Sequence, residues 1–223
     1  MVLKLEFDDS LRELVRQNLQ RHEVRGLRRE GRRRAAVAFT LVNASEKADI
    51  GNIPHASEQR GQAAYLLTTR AASLSSHASQ RAYPGGRVDP GETVEQAALR
   101  ELAEEVGLEL DADSILGRLD DYATRSGFVI TPIVVWGVKD AELVPNPGEV
   151  DRIHRVPLGE LLRDDVPLLD SIDDSPHPVL RMPLGDDWFA APSAAIAYQF
   201  REVALLGQST RVAHFEQPRF AWR

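Results

Sequence analysis

The sequence predicts an α+β fold in which helices pack on a β-sheet, and three observations lead to this class. Short apolar runs rich in β-branched residues alternate with stretches whose apolar residues recur at helical spacing. Clusters of proline and glycine separate these runs and mark turns. The 223 residues, 43% of them hydrophobic, are enough for one core, so we expect one domain with appendages.

Composition excludes several classes of protein. The chain has no cysteine, which excludes disulfides, thiolate metal sites and a cysteine nucleophile. No apolar run approaches the length needed to cross a bilayer, and residues 1–9 lack the form of a signal peptide. We therefore expect a cytoplasmic protein without a membrane partner. The net charge of −7 disfavours general binding to nucleic acid.

Residues 1–34 predict an N-terminal helix followed by a basic segment. Ser10 can cap a helix whose apolar stripe consists of Leu11, Leu14, Val15 and Leu19. Such a stripe is typical of a core contact or of a homodimer contact. The basic segment contains Arg25, Arg28, Arg29, Arg32, Arg33 and Arg34. These arginines indicate either a solvated loop leading into a strand or a patch that attracts an anion.

Residues 35–223 form the predicted main domain. Buried or half-buried strands are predicted at residues 35–42, 63–69, 119–122 and 128–138. Between the first two strands, the polar residues 43–62 predict a long loop or insertion.

The C-terminal part of this domain is predicted to be partly irregular and partly helical. A short helix is predicted at residues 156–162, and an irregular excursion with short strands at residues 164–187. A C-terminal helical extension is predicted from Pro192 to Leu206, with Gly207 as its end.

The segment from residue 84 to residue 108 predicts a loop, an amphipathic helix and a second loop. Proline and glycine at 84–86 and 90–91 indicate tight, irregular backbone. Thr93 with Gln96 three residues later forms a capping-box pattern, and Gly107 is well placed to end the helix.

One face of this helix carries Glu101, Glu104 and Glu105. Like charges three or four residues apart cost a helix roughly 0.2–0.5 kcal/mol per pair when nothing lies between them. A hard divalent cation such as Mg²⁺ removes that penalty, because its ligands are oxygen atoms. The alternative is a solvated acidic face, which is the usual explanation for three glutamates alone.

The wider spacing decides between these alternatives. The pattern G-x5-E-x7-R-E-U-x-E-E-x-G-U, where U is apolar, is filled by Gly86, Glu92, Arg100, Glu101, Leu102, Glu104, Glu105, Gly107 and Leu108. This stretch resembles the Nudix box at every defined position. The resemblance implies an α/β/α sandwich with a mixed β-sheet and a loop-helix-loop catalytic motif. It also implies a hydrolase of small-molecule diphosphates that depends on Mg²⁺ or Mn²⁺.

The resemblance assigns roles to the residues of the box. Glu101, Glu104 and Glu105 correspond to metal-binding carboxylates, and Gly86 to the glycine whose backbone approaches the metal. Arg100 and Glu92 correspond to an ion pair that holds the loop against the helix, and Gly107 is structural.

The general base of Nudix enzymes is a glutamate of the box or one from a later loop. Glu149 is the candidate for the later position, and its alternative is an exposed loop acid.

Residues before the box resemble the signature of the coenzyme A pyrophosphatase branch, L-L-T-x-R-[SA]-x3-R-x3-G-x3-F-P-G-G. The match runs from Leu66 to Gly86 without a gap, and residues 120–132 show a second similarity. Ser75, Ser79 and Tyr83 depart from it, standing where the signature has Arg, Gly and Phe. Losing the Arg removes a phosphate ligand, and replacing the Gly removes freedom at positive φ.

This branch implies hydrolysis of coenzyme A or acyl-CoA to 3′,5′-ADP and 4′-phosphopantetheine. Arg70 and Arg125 are the candidate substrate-binding residues. In the alternative interpretation, Arg70 pairs with a box carboxylate and Arg125 lies in an exposed turn. The departures leave other substrates open, such as ADP-ribose or a dinucleotide. A nucleotide-sensing module without catalysis is a further alternative.

Overall fold

The structure is a computed structural model and describes residues 3–44, 61–72, 79–173 and 175–219. Three α-helices are present in these ranges: α1 (Asp9–Arg21), α2 (Val94–Val106) and α3 (Ser193–Phe200), which continues as a π-helical turn at Arg201–Leu205. The strands are β1 (Arg33–Asn43), β2 (Ala63–Arg70), β3 (Arg81–Ala82), β4 (Gly85–Arg87), β5 (Ile115–Arg118), β6 (Tyr122–Ala123), β7 (Phe128–Trp136), β8 (Val150–Pro157), β9 (Leu168–Asp170), β10 (Val179–Leu184) and β11 (Asp187–Ala190). Short 3₁₀ turns lie at Ala112–Ser114 and Leu158–Leu162.

The main sheet is mixed. Strand β1 pairs in parallel with β7, and antiparallel with β2 and β4. Strand β2 also pairs with β3 and β8, while β7 pairs with β5 and β6, all antiparallel. A second, three-stranded antiparallel sheet has the order β11-β10-β9.

Helices cover both faces of the main sheet, because side chains alternate along each strand. From β1, Ala36, Ala38 and Val42 pack with the apolar face of α2. Phe39 and Leu41 point the other way and pack with α1 and α3. The predicted class, α+β with a mixed sheet in an α/β/α sandwich, is confirmed.

The ends of α2 follow the sequence signals. The Thr93 side chain accepts the Gln96 N–H, and the Gln96 side chain accepts the Thr93 N–H, which completes the capping box. Gly107 adopts φ 70° and ends the helix in the left-handed conformation that glycine favours. An N-cap such as Thr93 is worth about 1 kcal/mol.

The first helix begins earlier than predicted. Its cap is Asp8, not Ser10: the Asp8 carboxylate accepts the Leu11 N–H at 2.9 Å. The predicted apolar stripe lies in the core, where Leu11, Val15 and Leu19 are buried. The core interpretation of the stripe therefore holds, and a homodimer stays a prediction.

The predicted strand at 119–122 is wrong, because β5 ends at Arg118 and β6 begins at Tyr122. Between them, Asp120 and Asp121 are buried carboxylates that accept backbone N–H groups of Arg25 and Leu27. These bonds hold the basic segment against the sheet, while most of its side chains stay exposed. The basic segment thus begins as a solvated loop, and its last two arginines, Arg33 and Arg34, begin β1.

Strand β8 was missed, and the predicted helix at 156–162 contains only the 3₁₀ turn Leu158–Leu162. The exposed Asp151 and Arg152 hide the strand pattern of β8. The excursion at 164–187 contains short strands as predicted, and these belong to the second sheet. The predicted C-terminal helix is α3 with its π-helical turn.

The predicted division of the chain into two segments after residue 34 stays a prediction. Strand β1 already begins at Arg33, and α1 shares a core cluster with the sheet. Residues 45–60 of the predicted loop and Ser75 lie outside the described residues. Within the described ranges, the helices lack the length and hydropathy needed to span a bilayer.

Candidate active site

Two glycines bring backbone close to the site. In the β1–β4 ladder, Gly85 lies opposite Val37 and Gly86 opposite Ala36. A Cβ atom at Gly85 would lie 2.5 Å from the Ala36 carbonyl oxygen and 2.7 Å from the Val37 Cα. A Cβ at Gly86 would lie 2.2 Å from Glu101 Oε1. The sheet backbone therefore leaves no room for a side chain at position 85, and a side chain at position 86 would displace the Glu101 carboxylate.

Arg100 joins the loop before α2 to the helix. Its Nε and Nη2 donate to the two carboxylate oxygens of Glu92 at 2.9 and 3.2 Å. Nη2 also donates to the Arg87 carbonyl at 3.0 Å, which ties the helix to β4. Nη1 donates to Glu101 Oε1 at 2.8 Å and to Glu104 Oε2 at 2.9 Å. One guanidinium thus fixes the loop, the strand and two box carboxylates.

Three carboxylates converge beside Gly86. Ligand oxygens of Glu101, Glu105 and Glu149 all lie within 4.8 Å of one another. Glu105 is 2% exposed, and burial raises its pKa to about 8, although a Gly85 N–H directed at its carboxylate opposes the shift. Burial also raises the pKa of Glu101, against the opposing effect of Arg100. The protein holds these acids together at a cost to their charged forms.

Glu149 reaches this cluster because its loop is tied to two elements. The Asn146 N–H donates to the Glu105 carbonyl at 2.9 Å, at the C-terminal end of α2. The Ala71 N–H donates to the Glu149 carbonyl at 2.9 Å, just after β2. Within the loop, the Glu149 N–H donates to the Asn146 carbonyl. The loop therefore carries Glu149 at a fixed place opposite α2.

The donor set fits a hard divalent cation. Each carboxylate offers oxygen ligands, and Mg²⁺ and Mn²⁺ prefer such ligands. A cation among these carboxylates would stabilise the ionised forms of Glu101 and Glu105, which burial disfavours. Because Gly86 has no side chain, the Glu101 carboxylate can occupy the space beside it.

Glu104 lies outside this group of three. Its side chain is 53% exposed and pairs with Arg100. It stays a predicted ligand, since its charge is close enough to raise the pKa of Glu101.

A cleft of about 260 Å³ opens next to the carboxylates. It shares Arg70, Gly85 and Gly86 with the surroundings of the cluster, and the positive charge of Arg70 opposes the rise that burial causes in the pKa of Glu105. The rest of its lining is mainly apolar and includes Phe128 and Ile196. Among the described residues that line it, none is acidic. The cleft therefore suits an extended, partly apolar molecule with an anionic group beside the carboxylates.

Sequence reasoning missed part of this lining. Pro192, Ser193 and Ile196 come from the start of α3, and Gln217 comes from the C-terminal segment. Gln217 is buried, accepts the Arg125 N–H and donates to the Ala123 carbonyl. Local patterns predict the helix that begins near Pro192 but do not mark these residues as cleft residues, because tertiary packing brings them there.

The structure places Arg125 beside the cleft wall. Its Nε and Nη2 donate to the Glu216 carboxylate at 3.2 and 2.6 Å. Glu216 also accepts from the Ser175 hydroxyl. The guanidinium of Arg125 thus links the turn before β7 to the C-terminal segment, and a substrate contact of this residue stays a prediction.

Two departures from the coenzyme A signature have visible environments. Ser79 adopts φ 60°, so the backbone keeps the left-handed conformation that glycine favours. The Tyr83 hydroxyl donates to the Ser193 carbonyl at 3.2 Å. A phenylalanine lacks this hydroxyl, so Tyr83 adds a link between the loop and α3.

The family model and the similar proteins found by comparison all carry the Nudix name. The model of the NUDIX domain matches residues 51–175, more than half of the chain. "Nudix hydrolase 3" of Caenorhabditis elegans is 39% identical over 108 residues, 46% of this chain and 45% of that protein. "Uncharacterized Nudix hydrolase NudL" of Photorhabdus laumondii is 43% identical over 98 residues, 44% of this chain and 52% of that protein.

The matched part thus spans about half the length of these relatives. Among solved structures, a MutT/nudix family protein from Enterococcus faecalis is similar with a TM-score of 0.46 and 16% identity, over 72% of this chain and 51% of that chain.

Proposed function

The chain belongs to the Nudix family, and from this membership we propose that it hydrolyses the diphosphate bond of a nucleoside diphosphate derivative with the help of bound Mg²⁺ or Mn²⁺. One observation supports the proposal most strongly. The carboxylates of Glu101, Glu105 and Glu149 converge within 4.8 Å beside a cleft that contains Arg70. This arrangement offers a cation site and a place for an anionic substrate at one point of the surface.

We assign the metal-binding role to Glu101 and Glu105, with Glu104 as a further ligand and the Gly86 backbone close by. A bound cation would polarise a phosphoryl oxygen and neutralise negative charge on the diphosphate. Arg100 acts by holding Glu101 and Glu104 in place, since its guanidinium bonds both carboxylates.

The chain's own groups account for substrate positioning and proton transfer. Arg70 lines the cleft near Glu105 and is placed to bind a phosphate oxygen. Glu149 comes within 4.8 Å of Glu101 and Glu105 from a separate loop, so it is close to where a water would attack phosphorus beside a bound cation. We assign it the role of general base, which accepts the proton of that water.

The substrate we propose is coenzyme A or acyl-CoA, cleaved to 3′,5′-ADP and 4′-phosphopantetheine or its acyl form. The signature segments support this choice, because Arg70 ends β2 and Tyr83 and Gly86 line the same cleft. The left-handed φ of Ser79 also agrees with the glycine of that signature.

A second candidate is another nucleoside diphosphate derivative, such as ADP-ribose or a dinucleotide. The serine at position 75, where the signature has a phosphate-binding arginine, favours this candidate. A nucleotide-sensing module without catalysis is a third possibility, and the complete box weighs against it.

Mass-resolved product analysis tests the proposal. In the presence of Mg²⁺ or Mn²⁺, the full chain is incubated with one compound per reaction. The five compounds are coenzyme A, acetyl-CoA, ADP-ribose, NADH and diadenosine tetraphosphate. Release of 3′,5′-ADP and 4′-phosphopantetheine supports the first candidate. Faster cleavage of ADP-ribose or a dinucleotide supports the second. Absence of products from all five compounds contradicts hydrolysis.

Matched glutamine variants test the residue assignments. Glu105→Gln and Glu149→Gln should each reduce turnover by roughly 100-fold or more, since each removes a carboxylate that the chemistry requires. Glu109→Gln is the control, because Glu109 is exposed and lies just beyond α2. Equal turnover in Glu105→Gln and Glu109→Gln would contradict the metal-site assignment.

A further inference from the structure

Two arginines contact one aromatic ring of the cleft. Phe128 lines the cleft, and the Arg33 guanidinium carbon lies 4.1 Å from the centre of its ring. The Arg87 guanidinium carbon lies 5.8 Å from the same centre. The two guanidinium carbons are therefore less than 10 Å apart. Both distances lie within the range of cation–π contacts.

Backbone pairing fixes both arginines. Arg33 lies opposite Phe128 in the parallel β1–β7 ladder, and its N–H donates to the Gly127 carbonyl at 3.0 Å. Arg87 lies opposite Ala35 in the β1–β4 ladder, and its carbonyl accepts from Arg100 at 3.0 Å. The sheet thus fixes the points from which both side chains start, and their contacts with Phe128 place the two guanidinium groups at one side of the cleft.

These charges have no neutralising partner among the residues that the structure describes. Within the described residues, Arg33 and Arg87 have no carboxylate at ion-pair distance, and both are exposed. Neighbouring arginines differ in this respect, since Arg100 pairs with three glutamates and Arg125 pairs with Glu216. A guanidinium stacked on a ring keeps its N–H groups at the edge, where they can donate to an anion.

We propose that Arg33 and Arg87 form a subsite for a phosphate monoester of the substrate, separate from the diphosphate that is cleaved. The inference rests on the proposed function, because the subsite belongs to the same cleft. A guanidinium donates two parallel hydrogen bonds to a phosphate, and two guanidinium groups match its double negative charge. The preferred substrate is then a nucleoside diphosphate derivative that carries one additional phosphate.

The assignment to these two residues follows from the surroundings of the other arginines near the cleft. Arg70 lies close enough to Glu105 to oppose the rise that burial causes in the pKa of that carboxyl, so it belongs to the carboxylate end. Arg125 already donates from Nε and Nη2 to Glu216. Arg33 and Arg87 combine exposure, rigid backbone and a shared aromatic neighbour in the cleft.

Calorimetry in metal-free buffer tests the subsite without turnover. The full chain is titrated with two pairs of compounds that differ by one phosphate monoester: coenzyme A with 3′-dephospho-coenzyme A, and NADPH with NADH. In at least one pair, the phosphorylated member should bind roughly 10-fold more tightly, the value expected for hydrogen bonds to a charged group. The preference should weaken as salt is raised, because both arginines are exposed.

Variants connect the preference to the residues. The double variant R33Q/R87Q should reduce the preference to about 1 and leave the affinity for the unphosphorylated member unchanged. R29Q is the control for a general effect of charge, because it removes one arginine from the basic segment that contains Arg33, and no described ring contact joins Arg29 to Phe128. Equal affinity for both members of both pairs in the unmodified chain, or a preference that survives in R33Q/R87Q, would overturn the subsite.

The hydrolysis assay separates this result from the proposed function. A preference in binding without product formation in Mg²⁺ would leave the subsite standing and contradict hydrolysis. Product formation together with equal affinities for both members of both pairs would support hydrolysis and overturn the subsite.

Discussion

Gly86 and Glu101 are packed so closely that the space for a side chain at residue 86 is filled by the Glu101 carboxylate. A Cβ at Gly86 would lie 2.2 Å from Oε1 and 2.8 Å from Oε2 of that carboxylate. The Arg100 guanidinium holds Oε1 from the other direction at 2.8 Å. Strand β4 and helix α2 thus determine together where one proposed metal ligand points.

The variant Gly86→Ala should weaken metal binding. The added methyl group must displace the Glu101 carboxylate, and misplacing ligand geometry typically costs roughly 10- to 100-fold in metal affinity. Calorimetric titration with Mn²⁺ measures the change in metal affinity. Gly159→Ala is the control, because a Cβ there meets nothing within 4 Å. Unchanged Mn²⁺ affinity in Gly86→Ala would show that Glu101 is not a ligand.

Local signals predicted the motif helix well. Thr93, Gln96 and Gly107 act through neighbours within four residues, so their roles follow from the sequence. Glu101 and Glu105 lie one helical turn apart, and their shared face follows from the helical period. The missed strand β8 differs, because its pairing with β2 joins segments far apart in the chain and its exposed residues break the alternation.

The cleft was predictable only in part. Resemblance made Arg70 of the cleft and Glu149 of the adjacent carboxylate cluster candidates, since no spacing rule connects either residue to α2. Ile196 and Gln217 carry no motif, and they reach the cleft because α3 and the C-terminal segment pack against the sheet. Side chains that act through tertiary packing have no signature in a single sequence.

The ion pair of Glu92 and Arg100 should make stability depend on pH in the acid range. The hydrogen bond from Arg100 lowers the pKa of Glu92 below its usual 4.5. A carboxyl with a lowered folded pKa stabilises the fold above its unfolded pKa, and this contribution is lost as pH falls through the folded pKa. Glu92→Gln should therefore cost about 1 kcal/mol at pH 7 and progressively less below pH 4.5.

Urea unfolding of both proteins between pH 7 and pH 3 measures this difference. Glu13→Gln is the control, since Glu13 is 54% exposed and its contact with Arg16 is 3.8 Å long. A difference between the Glu92→Gln variant and the unmodified chain that does not shrink at low pH would contradict the ion-pair origin.

Ser79→Gly should stabilise the protein. Ser79 adopts φ 60°, a conformation that costs an ordinary residue roughly 1–2 kcal/mol and glycine almost nothing. Glycine loses more backbone entropy on folding, by roughly 0.5–1 kcal/mol, so the net gain should be about 0.5 kcal/mol. Thermal unfolding compares this variant with Ser209→Gly, an exposed serine that is not among the residues with positive φ. Ser209→Gly should destabilise the fold, and a similar loss in Ser79→Gly would contradict the conformational argument.

Exchange of Arg125 and Glu216 distinguishes a positioning role from a substrate contact. The pair connects the turn before β7 to the C-terminal segment, and Gln217 next to it lines the cleft. We expect Arg125→Glu to raise KM by roughly 10-fold, because two adjacent carboxylates would push the segment from the turn. In the double variant R125E/E216R the attraction returns with reversed polarity, so KM should recover most of this loss. Steady-state kinetics on the preferred diphosphate substrate provide the measurement. If Arg125 bonded the substrate directly, the double variant would stay as impaired as Arg125→Glu, because its guanidinium would be at position 216 and no longer at position 125.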